Sequence, residues 1–382
     1  MASTALASRL PPSALSAANH GIDLSGPQQT RPRKQDVADG LRAMASMRSG
    51  NGATGEDRPW RELIAPFAKA DSRHGLFDLL CTVLPFLALI GALFWGLVSE
   101  TWVALALILP AAVFLVRLFI IQHDCGHGSY FERRWLNDFL GRIIGVFTLT
   151  PYVFWRQDHA RHHAGSGNLS RRGVGDIATL TVSEYLARPA ARQFLYRLYR
   201  HPLTLFVLGP AYQFLLSHRI PRGSPRRNLS AWLSTVGTNA VLGTVLAALA
   251  LLIGWRPLVV GYLPVALLAG SIGIWLFYVQ HQFEDTYWRS EGEWNFDAAA
   301  FEGCSFYDLP PVLRWLTGCI GFHHIHHLAI KIPSYRLHAA YRTIPAFRQA
   351  KRLGLGESLD CWRLVLWDER RNKLVRFTDA RG

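Results

Sequence analysis

Four long apolar runs constrain the fold of this 382-residue chain more than any other feature of its sequence. They cover about residues 76–99, 102–121, 229–254 and 258–280, and none holds more than one charged side chain. A helix needs about 20 apolar residues to cross the hydrocarbon core of a bilayer, so each run predicts a transmembrane helix. The expected fold class is therefore an all-α integral membrane protein.

The spacing of the runs predicts two helical hairpins. A short link around Glu100 separates the first two runs, and residues 254–257 separate the last two. The intervening segment, 122–228, is rich in arginine, and arginine-rich loops stay on the cytoplasmic side. We therefore expect both chain termini and this segment in the cytoplasm, at a bacterial inner membrane. Two shorter apolar stretches, 143–155 and 203–216, contain proline and predict interfacial or re-entrant helices.

Composition separates the membrane part of the chain from its ends. The net charge of +14 fits either nucleic acid or an anionic membrane surface as a partner, and the four runs decide for the membrane and against nucleic acid. Residues 1–58 are rich in Gly, Ser and Pro and predict a disordered tail or, alternatively, a transit peptide. Residues 59–342 are expected to form the membrane domain, and residues 343–382 a cytoplasmic C-terminal tail.

Histidines are concentrated in three windows of five residues: HDCGH at 123–127, HARHH at 159–163 and HHIHH at 323–327. Helical residues three or four positions apart share a face, so each window can direct its rings to one point. Four membrane crossings put all three windows on one side of the membrane, which allows a single site. His324 lies off the shared face, so we leave it out of the set of candidate metal ligands. The eight histidines that fit the spacing are His123, His127, His159, His162, His163, His323, His326 and His327.

The number of convergent imidazoles predicts a dinuclear metal site. Neutral imidazole is a good ligand for iron, copper, zinc and nickel. A closed zinc site takes four ligands, so eight exceed what one ion uses. A ninth candidate is His281, in the stretch FYVQHQFEDTYW, because it ends the fourth run as HDCGH ends the second.

The three windows, in this order and with these flanking runs, resemble the histidine boxes of the membrane-bound fatty acid desaturase family. HDCGH followed by GSYF, LTPYVFW before HARHH, and FYVQHQFEDTYW before HHIHH are most similar to the acyl-lipid branch. That branch introduces a second double bond, of the Δ12 or ω-6 type. The resemblance covers about residues 60–340.

The resemblance implies a cytoplasmic helical cap that holds two non-haem irons through the eight box histidines and His281. It also implies O2 as co-substrate and a long acyl chain, in a lipid or a thioester, as substrate. The chain has no flavin or haem motif, so electrons are expected from an external ferredoxin-like or cytochrome b5-like donor. A set of arginines suits an acidic donor or, equally, anionic lipid headgroups: Arg133, Arg134, Arg171, Arg172, Arg222, Arg226 and Arg227.

Acidic and aromatic residues beside the boxes are candidates for supporting roles. Carboxylates commonly accept the free N–H of a metal-bound histidine, and surface exposure is the alternative. The carboxylate candidates are Asp124, Asp158, Glu284, Asp285 and Asp176. The aromatic candidates, which would line an acyl channel or anchor helices at the interface, are Tyr152, Trp155, Phe277 and Tyr278.

The favoured interpretation is an O2-dependent oxidoreductase that introduces a cis double bond into a long acyl chain. A hydroxylase, epoxygenase or carotenoid ketolase would share the histidine boxes and insert oxygen instead. A metal transporter, using the histidines as a relay, is a more remote alternative. It would require ionisable residues along an ion path, and the four runs hold almost none.

Overall fold

The computed structural model describes residues 60–381 apart from Val174, Arg222 and Ser224. The tail predicted over residues 1–58 lies outside the described residues, as does Arg222 of the predicted arginine set. Most of the described chain is helical. Its α-helices are α1 (Trp60–Ile64), α2 (Ser72–Val98), α3 (Ile108–His127), α4 (Arg134–Phe147), α5 (Tyr152–Gly165), α6 (Val182–Leu186), α7 (Ala190–Tyr199), α8 (Gly209–Ala211), α9 (Leu229–Ile253), α10 (Leu263–His281), α11 (Phe296–Glu302), α12 (Pro311–Leu316), α13 (His323–Leu328), α14 (Ser334–Thr343) and α15 (Leu355–Ser358).

Among the residues that the structure describes, four helical segments are long and apolar enough to cross a membrane, as predicted. The first and third are α2 and α9. The second, Trp102–His127, is a 3₁₀ segment continued by α3, and the fourth, Pro257–His281, is a π segment continued by α10. Helix α3 packs against α2 and α10, and α9 contacts the π segment of the fourth, so the four segments form one contiguous bundle.

Helix ends follow the local sequence. The Asp71 carboxylate caps α2 by accepting hydrogen bonds from the N–H groups of Arg73 and His74, at 3.0 and 3.1 Å. At its other end, α3 runs through the whole HDCGH window and stops at Gly128, whose φ of 62° only glycine adopts readily. The second segment therefore extends six residues beyond the predicted boundary at 121, and it carries His123 and His127 on the same helix.

Helices α4 and α5 form a hairpin that reaches along the long helices. Its turn falls inside the stretch 143–155. There, the ring of Phe147 meets that of Phe86 edge to face, with ring centroids 6.1 Å apart. The Tyr262 hydroxyl donates to the Phe147 carbonyl at 2.5 Å. Phe86 lies near the middle of α2, and Tyr262 lies at the opposite end of the fourth segment from His281, so this turn packs against two of the membrane-crossing segments.

The only charged side chains of the first two runs form a pair. Arg117 of α3 makes an ion pair with Asp78 of α2, and its Nε donates to the Thr82 hydroxyl at 2.9 Å. The Tyr130 hydroxyl donates to the second Asp78 oxygen at 3.0 Å. Trp315 of α12 covers the guanidinium, with its ring centroid 4.0 Å from Cζ. The buried Arg117 and the half-buried Asp78 are tolerated within apolar runs because each charge is matched by the other and by further hydrogen bonds.

Short strands supplement the helices in the described residues. The strands are β1 (Leu180–Thr181), β2 (Phe306–Tyr307), β3 (Arg352–Leu353), β4 (Leu366–Asp368) and β5 (Lys373–Val375). Strand β4 pairs in parallel with β1 and antiparallel with β5, while β3 pairs in parallel with β2. Phe347 and Trp367 are fully buried. The segment predicted as a C-terminal tail is thus packed onto the rest of the domain from residue 343 to the end of β5.

Candidate metal centre

The structure brings all nine predicted histidines together into two adjacent groups. His123, His127, His159, His163 and His326 form one group, and within it the ring nitrogens lie within 4.8 Å of one another. The same limit holds for the second group: His162, His281, His323 and His327. We call them the five-histidine group and the four-histidine group. Eight of the nine side chains are buried, and His159 is half-buried.

Helical spacing decides which group each histidine joins. Residues four positions apart point in the same direction, so His123 with His127 and His159 with His163 enter the five-histidine group. His323 and His327 enter the four-histidine group for the same reason. The middle histidine of each HxxHH window turns the other way. His162 therefore joins the four-histidine group, and His326 joins the five-histidine group.

Ring orientation fits a bound cation. His162 Nδ1 lies 2.5 Å from Asp176 Oδ1, and His281 Nδ1 lies 3.2 Å from the Gly303 carbonyl oxygen. Oxygens of this kind accept hydrogen bonds, so both Nδ1 atoms carry the proton and both Nε2 atoms carry a lone pair. These Nε2 atoms face each other at 3.2 Å. Two lone pairs at this distance repel unless a positive ion lies between them, so the donor set suits a metal ion.

Burial keeps these rings neutral. Burial lowers the pKa of His159, His163 and His326 well below the ordinary value of 6.5. The neighbouring imidazoles lower it further, as a smaller effect. Burial and the neighbouring imidazoles also lower the pKa of His323 and His327 well below 6.5. Neutral imidazole is the form that binds a metal ion, so the centre is electrostatically prepared for one near neutral pH.

Two of the five candidate carboxylates reach a histidine. Asp124 Oδ1 lies 3.1 Å from His123 Nδ1, and its other oxygen accepts from the Ser334 N–H at 2.6 Å. Asp176 Oδ1 accepts the hydrogen bond from His162 Nδ1. A backbone group that sequence reasoning missed, the Gly303 carbonyl, orients His281. No side-chain pattern could have indicated it.

The other three candidate carboxylates pair with cations instead. Asp158 accepts from Arg161 at 2.8 Å, one turn further along α5. Glu284 and Asp285 accept from Lys373 and Lys351, at 2.8 and 2.9 Å. Helix α10 ends at His281, so the residues that follow turn away from the imidazoles. In the described part of the chain, these carboxylates contact none of the nine rings.

His324 is buried outside both groups. Its ring packs among those of Phe301, Phe306 and Phe347, and burial lowers its pKa to about 3. This agrees with the expectation that it lies off the face shared by His323, His326 and His327.

A cavity of about 740 Å³ opens against both groups. His123 and His159 of the five-histidine group and His323 of the four-histidine group form part of its wall. The rest of the wall is largely apolar and comes from α3, α5, α10 and the helical segment 204–216. Volumes of this size are typical of sites for small organic ligands.

Two of the four candidate aromatic residues line this cavity, Trp155 and Phe277. The other two are buried in hydrogen-bonded positions outside it. The Tyr152 hydroxyl donates to the Cys125 carbonyl at 2.7 Å, and the Tyr278 hydroxyl accepts from Arg200 at 2.8 Å.

Comparison with known proteins identifies the family. A family model described as "Fatty acid desaturase" matches residues 100–357. The chain is 42% identical over 314 residues to a "Fatty acid desaturase" of Bacillus subtilis (strain 168), covering 82% of this chain and 89% of that relative. The chain therefore belongs to the fatty acid desaturase family, as its histidine boxes predict, and it is an oxidoreductase.

More distant relatives carry more specific names. An "sn-1 oleoyl-lipid 12-desaturase" of Synechocystis sp. (strain ATCC 27184 / PCC 6803 / Kazusa) is 26% identical over 260 residues, which are 65% of this chain and 69% of the relative. An "sn-1 acyl-lipid omega-3 desaturase (ferredoxin)" of Nostoc sp. (strain 36) is 29% identical over 235 residues, which are 59% of this chain and 63% of the relative.

Proposed function

We propose that this protein is an O2-dependent di-iron desaturase that introduces a cis double bond into a long acyl chain, with Δ12 (ω-6) regiochemistry. The observation that carries the proposal is the contact between the two histidine groups and one apolar cavity. His123, His159 and His323 belong to both the candidate metal centre and the cavity wall. A methylene group held there would lie beside the metal centre.

The nine histidines would hold two irons, one in each group. Bound iron supplies the oxidation of an unactivated C–H bond with O2 and two external electrons. The protein's part is to hold the imidazoles neutral and oriented. Asp124 and Asp176 accept hydrogen bonds from the Nδ1–H groups of His123 and His162, and the Gly303 carbonyl accepts one from the Nδ1–H of His281. Such hydrogen bonds fix ring orientation and raise ligand basicity.

The substrate is proposed to be the acyl chain of a lipid or a thioester. Long apolar side chains of α3 and small residues of α10 face the cavity. Apolar walls without an unpaired charge suit a hydrocarbon chain, whose transfer out of water is favourable in proportion to its buried area. The proposed regiochemistry is supported by the name of the Synechocystis relative, an oleoyl-lipid 12-desaturase.

The proposed topology is two hairpins in the membrane with a helical cap on the cytoplasmic side. His127 ends the second segment and His281 ends the fourth, and both rings lie in the metal centre. Those two ends therefore lie at one end of the bundle, which supports two membrane hairpins. The arginine content of residues 122–228 supports a cytoplasmic cap, with both termini on that side, at a bacterial inner membrane.

Electrons are proposed to come from a ferredoxin-like or cytochrome b5-like donor. The Nostoc relative is named as ferredoxin-dependent. Arg171 and Arg172 pair with Glu291 and Glu184, which reduces their attraction for an acidic partner. Closer to the centre, the exposed Lys331 donates to the His127 carbonyl at 2.7 Å. Lys331 is therefore a better candidate than Arg171 or Arg172 for guiding an acidic donor to the five-histidine group.

The product profile of an expressing host tests this proposal. A bacterium that makes only monounsaturated lipids would express the wild-type chain, His326→Ala and the exposed-histidine control His201→Ala. Wild type and the control are expected to yield dienoic acids, and His326→Ala is expected to yield none. Hydroxy acids or ketocarotenoids in the wild-type host would contradict desaturation and favour oxygen insertion at the same centre.

A further inference from the structure

The cavity wall contains a glycine whose missing side chain leaves open space. A Cβ built at Gly273 of α10 would meet no other atom within 4 Å, and Gly273 lines the cavity. Its neighbour Gly270 differs, because a Cβ there would lie 2.8 Å from Cδ2 of Phe214. Gly270 is thus required for close packing of helices, whereas Gly273 leaves volume in the cavity unfilled.

Gly273 lies about halfway along the part of α10 that lines the cavity. The lining runs from Ala266 to Gln280, which at 1.5 Å per residue is about 21 Å along the helix axis. Gly273 is about 12 Å from His281 on the same measure. A side chain at this position would divide the cavity into a half beside the metal centre and a half beyond it.

The two halves differ in polarity. The wall near the metal centre includes Asp158, Asp176 and Tyr199. The wall beyond Gly273 includes Leu115, Ala266 and Ala269. An acyl chain would therefore direct its ester or thioester towards the polar half, and its methyl end past Gly273.

Two other polar side chains of the wall, Gln213 and Thr148, form hydrogen bonds with neighbours. Gln213 Nε2 lies 2.7 Å from His218 Nε2, and the Thr148 hydroxyl donates to Gln122 Oε1 at 2.6 Å. These neutral pairs offer a chain no charge to anchor its carboxyl end.

We propose that Gly273 determines how many carbons of the acyl chain fit between the metal centre and the methyl end. This inference rests on the proposed function of the site as an acyl-chain desaturase. A larger side chain at 273 shortens the far half of the cavity. Fewer carbons then lie beyond the reacting methylene, so the double bond moves towards the methyl end and shorter chains are preferred.

The size of the effect follows from the burial of methylene groups. Each methylene that no longer finds an apolar wall lowers relative affinity about fourfold, so exclusion of two methylenes changes chain-length preference about fifteenfold. The effect is therefore expected to increase with the volume added at position 273.

The test is a graded series, Gly273→Ala, Gly273→Leu and Gly273→Phe, with Gly243→Leu as control. Gly243 lies in α9 outside the cavity wall, and a Cβ there also meets no atom within 4 Å. Both positions are helical, and replacing helical glycine by alanine or leucine does not disfavour the helix. Iron content should be the same in all variants, because no substituted residue contacts a histidine of the centre.

Two readouts are needed: the positions of double bonds in host lipids, and the lengths of acyl chains that co-purify with the protein. Along the series, double bonds should move towards the methyl end and the retained chains should shorten, while Gly243→Leu matches wild type. An unchanged profile across the series, or a shift towards the carboxyl end, would overturn the proposal. If wild type forms no double bond, the proposed function fails, and the retained chain lengths still test Gly273 separately.

Discussion

At the scale of single residues, the division of the histidines into two groups has a measurable consequence. His162 belongs to the four-histidine group and His326 to the five-histidine group. Each single alanine substitution should lower bound iron from about two towards one per chain and abolish turnover, because the proposed reaction requires both ions. Metal analysis of purified protein checks this, with the exposed His201→Ala as a control that keeps wild-type iron. Full iron content in either variant would contradict the two-group assignment.

A second residue-scale prediction concerns Asp176. Asparagine at this position can present an N–H to His162 Nδ1, and this favours the tautomer whose Nε2 carries the proton and cannot bind a metal. Asp176→Asn should therefore reduce iron affinity by about 10–100-fold, as is typical for groups that orient metal ligands. Competition with a chelator measures the affinity. Glu284→Gln, whose parent carboxylate pairs with Lys373 on the surface, should match wild type. Equal chelator sensitivity of the two variants would refute the orienting role.

The residue scale also shows what the sequence could predict. Imidazoles three or four positions apart converge because of helix geometry, which is local, so the boxes were predictable. The partners of these rings were harder to predict. Asp176 reaches His162 from a loop that follows α5, and Gly303 reaches His281 through its backbone. Glu284 and Asp285 are near His281 in sequence and still point elsewhere, because the helix ends before them.

At the scale of elements, buried Arg200 connects three parts of the chain. It follows α7, and its Nη2 donates to Tyr278 and Gln282 at the end of α10, at 2.8 and 3.1 Å. The same nitrogen donates to the Leu364 carbonyl at 3.0 Å. The guanidinium therefore ties the C-terminal segment to the helix that ends in His281.

Loss of this connection should destabilise the domain. Arg200→Ala leaves several buried acceptors without a donor, and each such group costs about 1–3 kcal/mol. We expect a large drop in the thermal unfolding midpoint of detergent-solubilised protein, while the exposed Arg192→Ala on α7 changes it little. A midpoint equal to that of wild type in Arg200→Ala would show that the connection does not contribute to stability.

Elements differ in how well the sequence indicates them. The four apolar segments were predictable to within a few residues at most ends, because lipid demands long uninterrupted apolar helices. Strands of two or three residues, such as β3 and β4, are too short to show a hydrophobic alternation. The sequence therefore predicts a tail over residues 343–382, although Trp367 and Phe347 are fully buried in the structure.

At the scale of the whole molecule, the buried imidazoles make stability depend on pH. The pKa of His159, His163 and His326 is far below 6.5 in the folded protein, whereas it returns to about 6.5 on unfolding. Below pH 6.5 the unfolded chain binds more protons, so stability falls as pH falls and is retained above that value. Chelator-treated protein should show a falling midpoint from about pH 7 to pH 5. A midpoint that rises over this interval would contradict neutral imidazoles.

The central claim, that this molecule removes two hydrogens from an acyl chain without adding oxygen to it, can be tested in one reaction. Purified iron-loaded protein would be supplied with an oleoyl lipid, a reduced ferredoxin and ¹⁸O2. We predict a dienoyl product two hydrogens lighter, with the label in water and none in the acyl chain. An acyl product that contains ¹⁸O would contradict desaturation and identify the centre as one that inserts oxygen.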